Sequence, residues 1–176
     1  IMSHLDWMPT TVAAAGAPDL KTKMLNGMKK KQKNAKLHLD GYNFLPYLTG
    51  AAEKAPRREF HYFDDGAMPV GVRVDDWKIV YAENRAKTMA LWAEPFVVLR
   101  LFKIFNLRRD PYERADENSN QYWDWMIDRA FMLYPMADIV GGFLSTFLEY
   151  PPRMKPASFT VDQVKARIEA AISAGH

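Results

Sequence analysis

Val70-Gly71-Val72-Arg73-Val74, then Asp75-Asp76, then Trp77-Lys78-Ile79-Val80-Tyr81-Ala82 is the stretch that decides the fold. Val70, Val72 and Val74 alternate with Gly71 and Arg73 before a two-residue polar break. Trp77, Ile79 and Tyr81 alternate with Lys78, Val80 and Ala82 after it. Alternation of period two on both sides of such a break predicts a β-hairpin. With Asp75 and Asp76 as the turn, Val74 faces Trp77, Val72 faces Ile79 and Val70 faces Tyr81. The apolar faces of the two strands then coincide, which a slip of one residue would undo. Upstream, Glu59-Phe60-His61-Tyr62-Phe63 reads as a third strand that leaves through Asp65-Gly66, a dipeptide suited to positive φ. Downstream, Phe102-Lys103-Ile104-Phe105-Asn106-Leu107 reads as a fourth, closed by a turn at Asp110-Pro111.

A four-stranded antiparallel sheet needs helices to cover its apolar face, and the flanks supply them. Residues 3–16 predict a helix with Asp6 as N-cap, Pro9 in the first turn and Gly16 as the stop, sharing a face of Leu5, Met8, Val12 and Ala15. Phe44-Leu45-Pro46-Tyr47-Leu48 reads as one packed helical turn ending at Gly50, after a turn at Asp40-Gly41. Residues 51–58 read as a polar linker. Residues 85–100 read as a long loop or lid-like insertion, because Pro95 prevents one long helix. Asn120 is expected to cap a helix with a stripe of Trp123, Met126, Ile127, Ala130, Phe131 and Tyr134, kinked or ended by Pro135. A second apolar helix is expected over residues 136–149. Thr160-Val161-Asp162-Gln163 is a capping box, and Val161, Val164, Ile168, Ala171 and Ile172 make a stripe that Gly175 stops. This last helix is expected to lie across the sheet on Trp77, Ile79 and Tyr81. The fold class that follows is α+β: a small antiparallel four-stranded sheet packed by C-terminal helices.

The 176 residues suffice for one ordinary core, and 48% hydrophobic with 26% charged is a globular balance. There are no cysteines, which removes disulfides, thiolate metal sites and cysteine nucleophiles together. Ile1 stands before the first methionine, so the expectation is a piece of something longer, and the first residues carry no secretory-signal pattern. The run 131–147 is the most membrane-like. Pro135, Asp138 and Gly141-Gly142 interrupt it, so a buried core segment is expected and no membrane span. Seven lysines and no acidic residue lie in residues 21–36. No interleaved aromatics accompany them and the net charge is only +3, so a solvated basic loop is expected rather than a nucleic-acid site.

Chemistry is scarce. His4, His38, His61 and His176 form no pair at ligand spacing and none adjoins an obvious nucleophile, so structural or surface roles are expected, with His61 the one to watch. Asp64-Asp65 and Asp75-Asp76 are paired carboxylates with the donor set of a cation or acid–base site, but both sit where turns are expected, and turn chemistry explains them better. No phosphate-cradling glycine loop, dinucleotide fingerprint or Gly-x-Ser-x-Gly is present. From the residues, no catalytic, cofactor-binding or metal-binding position is assigned.

An ordered series of segments nevertheless resembles a family. Ser3-His4-Leu5-Asp6-Trp7-Met8-Pro9-Thr10 with Ala13-Ala14-Ala15-Gly16, then Asp40-Gly41-Tyr42-Asn43-Phe44-Leu45-Pro46-Tyr47-Leu48-Thr49-Gly50, resemble consecutive segments late in type I, formylglycine-dependent sulfatases. Pro56-Arg57-Arg58-Glu59-Phe60, the stretch from Arg73 through Lys78, and Phe105-Asn106-Leu107 through Asp110-Pro111-Tyr112-Glu113 continue it. Tyr150-Pro151-Pro152-Arg153-Met154-Lys155-Pro156-Ala157-Ser158-Phe159 is similar to a run near the end of bacterial arylsulfatases.

The resemblance implies residues 1–50 as the tail of a large α/β domain of alkaline-phosphatase type plus a basic connection, and 51–176 as a sulfatase C-terminal domain. It also implies a non-catalytic portion of a sulfuric ester hydrolase that packs on a missing catalytic domain and helps wall its cleft. Ca²⁺ and formylglycine belong to that missing domain, and a periplasmic or secreted setting goes with the family. In the family, formylglycine arises from the Cys or Ser of Cys/Ser-x-Pro-x-Arg. Lys54-Ala55-Pro56-Arg57-Arg58 and Glu149-Tyr150-Pro151-Pro152-Arg153 have the spacing, but Lys54 and Glu149 stand at the nucleophile position and neither can become formylglycine. The chain alone is therefore expected to be inactive, with the catalytic domain as partner, or self-association through the first helix. A phosphoester or phosphonate hydrolase of the same superfamily and a stand-alone interaction module are the other readings.

Overall fold

The structure is a computed structural model, and it describes residues 1–27 and 37–151. Four strands, β1 (Glu59–Phe63), β2 (Pro69–Val74), β3 (Trp77–Glu83) and β4 (Val97–Asn106), form one antiparallel sheet in the order β1-β2-β3-β4. The hairpin has the expected register, with Val72 opposite Ile79 and Val74 opposite Trp77. Asp75 takes the left-handed φ of 50° at the turn. At the β1–β2 turn the positive φ of 64° falls on Ala67 rather than on Asp65-Gly66. The cause is local: Asp64 Oδ1 accepts from Met68 N–H at 2.7 Å, and that side-chain bond sets the turn geometry.

Three valine and isoleucine side chains, Val72, Ile79 and Ile104, are wholly buried at the centre of one sheet face. Two short helices, α4 (Ala115–Asn118) and α5 (Tyr122–Ile127), and the long α6 (Leu133–Glu149) close over them. They contribute Tyr122, Met126 and Met136 to the same core. Trp77 stacks on Trp125 with ring centroids 6.1 Å apart. Among the described residues, the cover over Ile79 and Trp77 comes from α5 and α6. The C-terminal helix expected there, residues 160–175, lies outside the described residues, as do the basic run 29–36 and most of the 150–159 segment.

Several local expectations are corrected. The fourth strand begins at Val97, so the presumed loop over residues 85–100 is shorter; only a 3-10 turn, Thr88–Trp92, interrupts the path from β3 to β4. Asn84 anchors that crossing, donating from Nδ2 to the carbonyls of Leu91 (3.0 Å) and Glu94 (2.8 Å). The helix expected from Asn120 to Tyr134 is broken after Ile127. A 3-10 turn, Ala130–Met132, then feeds α6. Tyr122 and Met126 face the core, while Trp123, Ile127, Phe131 and Tyr134 are exposed. Pro135 neither kinks nor ends a helix. It is the third residue of α6, where a missing N–H leaves no intrahelical bond unmade. The apolar run is not a buried core segment either. Residues Ala130–Glu149 form a continuous helical stretch of mean hydropathy 1.4, long and apolar enough to cross a membrane by length and composition, with only 6% of that window buried.

Before the sheet come α1 (Trp7–Ala14), α2 (Leu20–Leu25) and α3 (Leu45–Leu48). Gly16 ends the α1 turn with φ +93° as expected. Asp6, however, does not cap α1. Ser3 is the cap of a preceding 3-10 turn, His4–Asp6, and Asp6 returns the favour by accepting from Ser3 N–H at 2.8 Å. The expected face of Leu5, Met8, Val12 and Ala15 points largely outward. Asp6, Pro9, Thr10 and Ala13 are the buried positions instead. On α3, Phe44 is buried just before the helix but Tyr47 and Leu48 are exposed, so the turn is only partly packed.

Candidate functional site

Residue 57 sits in the presumed polar linker, yet it organises the N-terminal half. Arg57 reaches back to Asp6, with Nε 2.8 Å from Oδ2 and Nη2 2.6 Å from Oδ1, and both side chains are buried. Every remaining demand is met. Asp6 also accepts from Tyr42 N–H at 2.8 Å, and Arg57 donates to the carbonyls of Asp40 (2.9 Å) and Glu59 (3.2 Å). Burial works against the Asp6 charge. The hydrogen bonds from Arg57 and from the Tyr42 and Ser3 amides outweigh it, so the carboxyl is held below its ordinary value. Thr10 adds a second clasp: its hydroxyl donates to Asp6 C=O (2.6 Å) and accepts from Phe44 N–H (2.9 Å). Gly41 lies so close to this node that a Cβ would stand 2.1 Å from Leu5 C=O.

The node forms one wall of a cleft of about 750 Å³. Its other walls are β1 and the C-terminal half of α6. Phe63, Ile139, Phe143 and Phe147 are among its apolar lining, and Lys21, His38, Asp40, Tyr42 and Glu59 among its polar lining. His61 lies flat on Phe143, ring centroids 4.0 Å apart and planes 13° apart. Burial pushes its pKa down, against the weaker attraction of Glu59 and Asp40. His38 Nδ1 is 3.1 Å from Asp40 Oδ1, and the Tyr42 hydroxyl donates to Glu59 at 3.0 Å. Lys21 and Arg57 both stand over the Tyr42 ring, at 4.9 and 4.7 Å.

A second hollow of about 420 Å³ lies beside Lys78 and Lys103. The two lysines at its floor are paired. Lys103 Nζ bonds Glu83 (2.5 Å) and Asp116 (2.6 Å), and Lys78 Nζ bonds both oxygens of Glu113 at 2.8 and 2.7 Å.

Of the histidines singled out in the sequence, His4, His38 and His61 line the 750 Å³ cleft, whereas His176 lies outside the described residues. Asp64 closes its own turn, and Asp75 takes an ion pair with Arg58. The motif-spaced Lys54-Ala55-Pro56-Arg57-Arg58 segment therefore ends on two arginines already committed to carboxylates. Among the described residues no group of three or more His, Asp or Glu side chains comes together to hold a metal ion. Arg57 and Tyr42 stood in the sequence only inside the family-like segments and Lys21 only in the basic run 21–36, and none was singled out as a site residue.

No family model matches the sequence, and no curated protein does. Among solved structures, the chain is similar to the PsFucS1 sulfatase from Pseudoalteromonas sp., with 21% identity and a TM-score of 0.51. A sulfatase contains this fold. The match takes in 68% of this chain and 23% of that one, so it spans less than a quarter of the sulfatase. At this identity the likeness is one of architecture: a four-stranded antiparallel sheet with helices against it.

Proposed function

We propose that this chain is the non-catalytic C-terminal portion of an arylsulfatase-like sulfuric ester hydrolase, packing on a catalytic domain and helping to wall its cleft. The observation that carries the reading is the two-sided character of the first helix. One side is locked into this portion through Asp6, Thr10 and Arg57. Away from that lock, α1 exposes Trp7 and Met8, 54% and 47% exposed, and the 3-10 turn before it exposes Leu5, 53% exposed. Large apolar side chains left exposed on a firmly held segment support a contact with further polypeptide. The fold shared with part of a sulfatase supplies the kind of polypeptide. The site residues support the non-catalytic half of the reading, since Lys54 and Glu149 stand where the resembled motif needs Cys or Ser.

Light scattering on the purified chain tests this. It should self-associate or recruit a partner, and Leu5→Asp with Met8→Asp should leave it monodisperse without lowering its Tm. A monomeric, monodisperse wild-type chain would favour a stand-alone module. Incubation with p-nitrophenyl sulfate and Ca²⁺ should release no p-nitrophenolate above buffer; sustained turnover would overturn the reading.

A further inference from the structure

We infer that the 750 Å³ cleft between β1, α6 and residues 40–42 is the docking groove for this chain's own C-terminal segment, residues 160–175. This does not depend on the sulfatase reading, because it concerns how the chain covers its own surface. In sequence that segment carries a capping box at Thr160-Val161-Asp162-Gln163 and a stripe of Val161, Val164, Ile168 and Ile172. The spacing is the one with which an amphipathic helix enters an apolar groove. Such a stripe needs an apolar surface. Among the described residues, the surface expected for it over Trp77 and Ile79 is taken by α5 and α6. The cleft offers another: Phe63 is 38% exposed, and Ile139, Phe143 and Phe147 are only half-buried beside it.

The exit of the chain selects the occupant. Tyr150, which ends α6, has left helical geometry with φ −122° and ψ 71°. Its ring packs on His38, centroids 5.0 Å apart, and His38 lines the cleft. The chain therefore leaves α6 at the rim of the cleft, and Pro151-Pro152 keeps it from running on as helix. Residues 151–159 reach at most about 30 Å, and α6 is about 25 Å long, so the segment can fold back along the wall that α6 supplies. A tether this short holds the segment at an effective concentration on the order of millimolar, which a second copy or another polypeptide must exceed.

The chain has no cysteine, so introduced pairs report cleanly. Thr146 lines the cleft, and its hydroxyl donates within α6 to Phe143 C=O at 2.7 Å. In the full chain, Thr146→Cys is combined in turn with Val164→Cys, Ile168→Cys and Ala166→Cys, the last on the far side of the stripe. Mild oxidation of dilute protein, followed by non-reducing mass spectrometry, reads the cross-links. The faster of the Val164 and Ile168 pairs should close within one chain about tenfold faster than the Ala166 pair, and adding Ile172→Asp should remove that advantage. Equal closure at all three positions would overturn the inference, since the segment would then be tethered without docking. Failure of every pair to close would overturn it by leaving the groove to other polypeptide. Cross-links that form only between chains would overturn it by giving the groove to a second copy.

Discussion

Asp6 and Arg57, 51 residues apart in sequence, meet as a buried two-pronged ion pair that fastens the N-terminal helix to the start of the sheet. Breaking a buried pair strands the surviving charge. Asp6→Ala or Arg57→Ala should each cost about 3–5 kcal/mol in urea unfolding, and the double variant less than the sum. Because the Asp6 pKa is lowered in the folded state, its contribution is present above the unfolded value of about 3.9 and fades as pH falls through the lower folded value. The acid limb of the stability curve should therefore lose slope in Asp6→Asn. An unchanged acid limb would show that the pair adds nothing of the kind.

Tyr122 closes an open edge. Its hydroxyl donates to Ile104 C=O (3.0 Å) and accepts from Ile104 N–H (3.2 Å), replacing the missing neighbour of β4. Burial raises its pKa well beyond the usual phenol range, so it stays a neutral donor at any ordinary pH. Tyr122→Phe leaves both backbone groups unpaired and should cost about 1–3 kcal/mol. Amide exchange at Ile104 should quicken in the variant; if it does not, the hydroxyl is not what protects that edge.

Two glycines should respond in opposite directions. Gly41→Ala drives a methyl into the Leu5 carbonyl and should unfasten the N-terminal segment, lowering the Tm. Gly141, inside α6, has nothing within 4 Å of an added Cβ. Gly141→Ala should stabilise by about 0.5–1 kcal/mol through helix propensity alone. Differential scanning calorimetry of the two variants reads both signs, and a destabilised Gly141→Ala would mean that another segment packs on that face.

His61 should make stability sensitive to mild acid. Its folded pKa is depressed by burial, so the unfolded chain takes up the proton first. The stabilising difference is full above about 6.5 and is lost as pH falls from there through the folded value. Thermal melts between pH 7.5 and 5 should show the wild type losing more Tm than His61→Phe, which keeps the stack on Phe143. Parallel pH profiles for the two proteins would contradict this.

The hairpin was readable in the sequence because alternation and a two-residue break together leave one register that puts Val72 and Ile79 on the same face. Arg57 was not readable. A buried arginine is written like an exposed one, and its partner Asp6 lies in a 3-10 turn before a helix whose buried side mixes Thr10 with Pro9 and Ala13. The stripe drawn through Trp123, Ile127 and Tyr134 failed for a related reason: the helix breaks after Ile127, and each break resets which side faces the sheet. The length of α6 was nearly right, but composition cannot say what lies against an apolar helix. Cleft residues such as Lys21 and His38 were visible only as isolated charges, since three separated segments have to meet before they share a wall.

The most direct measurement is the sequence of the coding DNA on the 5′ side of the Ile1 codon. The account predicts a hydrolase segment encoded in frame or alongside, carrying a Cys/Ser-x-Pro-x-Arg motif and carboxylate metal ligands. A native gene that opens with this helix, with no such segment in frame or alongside, would contradict it.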